Sequence, residues 1–284
     1  MPKIAFLTDS TAYIPHELTK SYNITVLPQV LIWGDQTFRD GVDIQPDEFY
    51  ARLKTTKVMP TTSQVPILEM QHAFQGLIEK GFDVLGIFIS AKLSGTQQSA
   101  LQAREALGAS AEKIFLVDSN TTAMAMGFIV LAAVRAAEQG ASVRECVALA
   151  EKAREHVGVY FTMDTLEFLH RGGRIGGGAR FVGSALNLKP ILALKDGWVE
   201  PEDRVRTKSK ALERVLELVS EQVKDKSNIR IATLHANAEE EARILLQHAS
   251  TQLNAVESIL SALSPVVGVH GGPGTVGLAF MEGI

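Results

Sequence analysis

Two glycine-dense segments carry side chains suited to holding an anion. Arg171-Gly172-Gly173-Arg174-Ile175-Gly176-Gly177-Gly178-Ala179-Arg180 sets three arginines among five glycines. Glycine lets the backbone approach a ligand closely, and successive amides can form an anion nest; the competing reading is a flexible turn with solvated arginines. His270-Gly271-Gly272-Pro273-Gly274 places an imidazole just before a forced turn, where the alternative is a purely structural histidine. Neutral donors come from four hydroxyl-rich clusters: Thr8-Asp9-Ser10, Thr61-Thr62-Ser63-Gln64, Ser94-Gly95-Thr96 and Asp118-Ser119-Asn120-Thr121-Thr122. Asp9 and Asp118 can form an acid/base pair, or can accept from loop amides as Asx caps.

Several chemistries are missing. There is no G-x-x-x-x-G-K-[ST], so no P-loop for a nucleotide. Ser94 is outside any G-x-S-x-G elbow and has no neighbouring histidine as base. The seven histidines show no H-x-x-x-H spacing, so no metal site is expected. The single cysteine, Cys146, excludes a disulfide framework and fits a reducing cytoplasm.

The elements that must position these groups follow from hydrophobic runs. Lys3–Leu7, Phe82–Ile89 and Lys113–Val117 each end in one of the hydroxyl clusters and lead toward a helix. Strands alternating with helices imply right-handed crossovers and a parallel sheet, whose carboxyl ends gather ligand-binding loops on one rim. Val26–Ile32 and Thr37–Val42 flank Trp33-Gly34-Asp35-Gln36 and read as an inserted β-hairpin. The pattern changes near Val157. Beyond it come Gly158–Met163, Lys189–Leu194, Val205–Thr207, Asn228–Leu234, Ala255–Leu260 and Val276–Phe280, with helices over Lys208–Val223 and Ala238–Ser250, the latter capped by Asn237. Ser264-Pro265 is compatible with a strand exit or a short helix ahead of His270. The expected architecture is a parallel-sheet α/β domain over 1–157 and an α+β domain over 158–284.

Composition narrows the partners. Lys+Arg 28 against Asp+Glu 32 gives a net charge of -4 over 284 residues, which argues against a broad basic face for nucleic acid. Hydrophobic residues at 46% and charged residues at 21% describe an ordinary globular chain. The stretch from Ser258 to Met281 lacks Asp, Glu, Lys and Arg, but Pro265, Pro273 and five glycines interrupt it, so no membrane span is expected. The apolar part of MPKIAFLTDS is too short for a secretory signal, and a cytoplasmic location is expected.

The motifs also occur in a recognisable order. TDS near the start, PTTSQ at 60–64, LSGTQQSA at 93–100, VDS at 117–119, LEFLHRGGRI at 166–175, LNLKPIL at 186–192, VRTKSKA at 205–211, HAN at 235–237 and HGGPG at 270–274 span the chain. Together they resemble the bacterial DegV family of fatty-acid-binding proteins, some of which serve as the lipid-carrying subunit of fatty acid kinase. The resemblance implies a long-chain fatty acid between the two domains, its carboxylate met by Thr62, Ser63, Ser94 and Gly95. It places Arg174, Arg206 and His270 on the phosphate side of the head group, with Arg171 and Arg180 as competitors of Arg174. It further implies a non-catalytic carrier with no cofactor apart from the bound lipid, a partner kinase subunit that brings ATP, and at most transient contact with a membrane surface. The alternative is a stand-alone phosphotransferase or hydrolase using Asp9 or Asp118 as acid/base or metal ligand.

Overall fold

A computed structural model describes residues 3–176 and 188–284. The chain opens with β1 (Lys3–Asp9), α1 (His16–Ser21) and β2 (Thr25–Leu27), then a hairpin of β3 (Val30–Trp33) and β4 (Gln36–Arg39). Next come α2 (Pro46–Leu53), β5 (Thr61–Ser63), α3 (Ile67–Glu79), β6 (Phe82–Phe88) and α4 (Thr96–Ala106). β7 (Ile114–Asp118) leads into α5 (Ala123–Glu138) and α6 (Val143–Ala153). Strands β2-β1-β6-β7 form the expected parallel sheet. Its central members are buried on both faces, which is why they read as continuous apolar runs without alternation.

From Val157 the strands join a different sheet. It contains β8 (Val157–Thr162), β9 (Lys189–Lys195), β10 (Trp198–Val205), β11 (Arg230–His235), β12 (Glu257–Ala262) and β13 (Val276–Met281). The order is β10-β9-β8-β13-β11-β12, antiparallel except for the β11–β12 pair. Its helices are α7 (Glu167–Gly172), α8 (Lys208–Gln222), α9 (Glu239–Gln252) and α10 (Pro265–Gly271).

Helix α5 explains how the two sheets cohere. Its segment from Ala123 to Val134 is apolar almost all round, and eleven of its residues are buried, as expected for a helix covered on every side. It packs on β1 and β6 of the first sheet and on β8, β11 and β13 of the second. One hydrophobic core therefore runs from Phe6 and Leu85 through Phe128 to Val159 and Ala279, so the lobes do not have wholly separate interiors. A second core lies under α8 and α9, and a third under α3 and α4. Arg135 on α5 adds a two-pronged ion pair with Glu257 of β12, at 2.6 and 2.8 Å.

Local chemistry settles the remaining elements. Ser142 and Glu145 form a reciprocal capping box that starts α6. Ser264 accepts from the Val267 amide at 3.3 Å with Pro265 behind it, so the ambiguous segment before His270 is helix α10. Asn237, expected to cap α9, instead takes a left-handed φ of 52°; Ala238 holds the cap position without a side-chain bond. The hairpin gains a third strand, because β5 pairs with β3 and brings Thr62 opposite Leu31. Helix α2 was not anticipated, although Pro46 at its start and Asp47 and Glu48 in its first turn are ordinary helix signals.

Phe128 is 1% exposed at the middle of α5. Phe128→Ala is expected to lower the unfolding free energy by about 3–5 kcal/mol, read from urea denaturation; an unchanged midpoint would contradict α5 as the shared layer.

Candidate functional site

A cleft between the lobes holds about 120 Å3 of internal space and opens to solvent at its mouth. Its walls are mainly apolar, with Leu93 from the first lobe and Val159, Phe161, Met163, Leu234 and Leu263 from the second. Polar groups occupy a limited part of the lining, contributed by loops and element ends.

Four sequence-predicted residues of the first lobe line this cleft together: Thr62, Ser63, Ser94 and Gly95. Thr62 and Ser63 stand on β5, and Ser94 and Gly95 form the turn before α4. The Ser94 hydroxyl lies 3.0 Å from that of Thr96 and accepts from the Thr96 amide at 3.3 Å. It also donates to Gln29 Oε1 at 3.4 Å. Gln29 was missed from the sequence. It is 2% exposed within an otherwise apolar run, lines the cleft, and donates through Nε2 to Asp9 at 3.2 Å. A glutamine in such a run is itself a signal, since a buried amide must find partners.

Two residues of the second lobe complete the polar end. Arg174, just after α7, donates Nε to the Leu93 carbonyl at 3.1 Å and Nη1 to the Gly172 carbonyl at 2.6 Å. Those bonds hold the guanidinium across the gap between lobes. Among the described residues it is the only arginine or lysine in the lining. Arg171 instead pairs with Glu167 at 2.6 Å on the exposed face of α7, and Arg180 lies outside the described residues. His270, at the end of α10, places Nε2 3.0 Å from Thr62 Oγ1. Its Nδ1 has no hydrogen-bonding partner among the described residues. Gly172 makes this packing possible, because a Cβ there would stand 2.1 Å from Nδ1. Burial, assisted by the Arg174 charge, pushes the imidazole pKa down to about 4, so the ring is neutral near pH 7. Arg206, by contrast, is exposed between β10 and α8 and is not among the lining residues.

The two strand-end carboxylates serve the loops. Asp9 accepts from the Ile89 amide, from the amide and hydroxyl of Thr11, and from Gln29. Asp118 accepts from the Ala91 and Asn120 amides at 3.2 and 2.9 Å. Neither lines this cleft, although Asp9 lines a second cavity with Asp40; their bonds to loop amides are those of the Asx reading. Among the described residues no group of three or more His, Cys, Asp and Glu side chains is placed to hold a metal ion, and no helix is long and apolar enough to cross a membrane.

Comparison with known proteins gives this geometry a context. Residues 3–283 match the model of a family described as uncharacterised protein, DegV family. A DegV domain-containing protein of Clostridium perfringens is 34% identical over 98% of both chains, and the protein DegV of Bacillus subtilis is also 34% identical over 98% of each. Among solved structures, a DegV family protein from Thermus thermophilus, described by its fatty acid binding, superposes with a TM-score of 0.93 at 33% identity over 99% of both chains. DegV of Bacillus subtilis, described as a fatty acid binding protein, gives 0.90 at 33% identity over the full length of both. A stearic-acid-binding protein from Eubacterium ventriosum gives 0.91 at 25% identity, over 99% of this chain and 98% of that one. The chain therefore belongs to the DegV family.

Proposed function

We propose that the inter-lobe cleft binds one long-chain fatty acid, tail inward, with its carboxylate at the polar end formed by Thr62, Ser63, Ser94 and Gly95. One observation carries this reading: an apolar channel ends where hydroxyls of one lobe face Arg174 and His270 of the other. An apolar wall contributes about 0.8 kcal/mol for each methylene taken from water. It cannot hold a carboxylate, which is costly to bury without donors. Each hydrogen bond to the charged head returns roughly 1.5–3 kcal/mol. The tail thus supplies affinity and the hydroxyls supply orientation.

The same arrangement suits a carrier whose ligand is modified by a second protein. A fatty acid held tail-inward presents its carboxyl at the mouth, where a kinase subunit carrying ATP can phosphorylate it. The acyl phosphate adds negative charge at that end, and the planar fork of Arg174 matches phosphate oxygens. In this reading Arg206 acts from the solvent side, on the transferred phosphate or the approaching partner, and takes no part in holding the lipid. Lipid is taken up during transient contact with a membrane surface, which requires no spanning segment.

Titration of a long-chain fatty acid into the purified, delipidated protein tests the reading. Ser94→Ala is expected to weaken binding roughly tenfold or more while changing stability little, since it deletes one charge-assisted bond; equal affinity would contradict it. Arg206→Ala is expected to leave fatty-acid affinity unchanged and to slow acyl-phosphate formation by an added kinase subunit, and loss of lipid uptake instead would overturn the division of roles.

A pH titration of stability checks the neutral imidazole. His270 is held near 4 in the fold, below the ordinary value of 6.5. Between those values the unfolded chain carries a proton that the folded chain lacks, so the stabilisation present above pH 6.5 is lost as pH falls, by up to about 1.4 kcal/mol per unit. Burial raises the pKa of Asp9 and Asp40, which act with the opposite sign. The His270→Gln variant keeps both carboxylates, so the difference between the two stability curves isolates the imidazole. Wild type is expected to lose more stability than the variant from pH 6.5 to 4.5; parallel curves would contradict a buried neutral ring.

A further inference from the structure

Asp40 lies in the turn after β4, on the hairpin inserted in the first lobe, and is 1% exposed. It does not line the ligand cleft, yet hydrogen bonds tie it to both sides of the polar end. On one side its Oδ2 accepts from Ser10 Oγ at 2.6 Å, and its amide donates to the Gln29 carbonyl at 2.9 Å. The Gln29 amide donates back to Ser10 Oγ at 3.1 Å, while the Gln29 carboxamide meets Ser94. On the other side Oδ1 accepts from the Val266 amide at 3.2 Å, in the first turn of α10, and the Ser264 hydroxyl also donates to the carboxylate. Helix α10 then runs directly to His270. It seats closely on α2 because position 268 is glycine: a Cβ there would stand 2.4 Å from the Tyr50 hydroxyl. Tyr50 in turn donates to the Leu263 carbonyl at 3.2 Å.

A buried carboxylate is a strong acceptor for several donors at once, and these come from separate lobes. We propose that Asp40 is a positioning residue of the head-group site: by tying the start of α10 to the Ser10–Gln29 segment, it sets His270 opposite Thr62 and so governs the grip on a ligand carboxylate. The role rests on the fatty-acid reading of the cleft. The segment it anchors carries Val266 and Val267 of the cleft wall as well as His270, so what separates the role from general stabilisation is a loss confined to ligands with a free carboxylate. Ionisable groups near Asp40 include Asp9 on β1, Tyr13 in the turn after β1, Tyr50 on α2, and His16 of α1, which lines the same second cavity. Among the described residues none forms an ion pair with Asp40, so the carboxylate depends on its hydrogen-bond donors. Burial holds it at about pH 6, still ionised near neutrality.

Two measurements test the proposal, the first without lipid. In NMR spectra of the apoprotein at pH 7.5, where the Asp40 carboxylate is ionised, Asp40→Asn is expected to weaken the contact between the His270 ring and Thr62, read as shifted His270 ring resonances and a diminished cross-peak to Thr62, because the amide turns an N–H group against the donors and releases α10. A folded variant with unmoved His270 resonances and an undiminished cross-peak at pH 7.5 would overturn the proposal. The second is a binding cycle at pH 7.5 with a long-chain fatty acid and its methyl ester, using wild type, Asp40→Asn, His270→Ala and the double variant. Asp40→Asn is expected to weaken the acid roughly tenfold and leave the ester within about twofold. In the His270→Ala background it should cost little more, as coupled residues on one path are non-additive. Equal weakening of acid and ester, or full additivity with His270→Ala, would assign Asp40 a merely structural role and overturn the proposal. Ser264→Ala, which keeps the carboxylate but removes one donor and the α10 cap, is expected to show the same selective loss if Asp40→Asn does not fold. If wild type binds neither ligand, the fatty-acid reading itself fails and takes the grip on carboxylate with it; the NMR arm still reports separately whether Asp40 places His270.

Discussion

The 3.0 Å contact between Thr62 on β5 and His270 on α10 joins the two lobes at the polar end of the cleft. Its length is set by parts far apart in the chain. Pairing of β5 with β3 fixes the hydroxyl. Glycine at 268 and 172 lets the imidazole come close, and the Asp40 carboxylate anchors the helix that carries it. A neutral ring beside a hydroxyl, with a guanidinium nearby, forms a site that can receive an anion without first holding one of its own. Among the described lining residues there is no carboxylate to balance Arg174.

The two lobes divide the work because they are built differently. The parallel sheet ends all its strands toward one rim, so short hydroxyl side chains collect there. The mixed sheet presents a broad apolar face, with Val159, Phe161 and Leu234 on the cleft side, and its cations come from connections at its margins. Helix α5 lies between the sheets as a common layer, and burial on nearly every side leaves it little freedom to tilt.

Much of this was legible in the amino-acid order. The alternation of strand and helix, the change of pattern at Val157 and the hydroxyl clusters at strand ends all correspond to observed features. Thr62, Ser94, Arg174 and His270 line one cleft, as their motifs implied. Residues whose meaning is tertiary were not legible. Gln29 sits in an apolar run and Asp40 in a charged turn between Arg39 and Asp43 that reads as solvated surface, and their importance comes from partners 65 and 226 positions away. Arg171 and Arg174 are indistinguishable by spacing; Arg171 lies within α7 and pairs with Glu167 one turn earlier, while Arg174 lies past the helix end and reaches the cleft. Arg206 was grouped with them by motif, but strand β10 ends just before it and leaves it exposed. The Asn237 cap failed for a similar reason, since the residue is drawn into a left-handed turn.

The decisive measurement is the lipid content of the protein as cells make it. Extraction of the purified, untreated chain with organic solvent and mass spectrometry of the extract is expected to yield close to one long-chain fatty acid per polypeptide, with an intact carboxyl group. Protein that emerges free of lipid, and stays so after incubation with fatty-acid-loaded vesicles, would contradict the account.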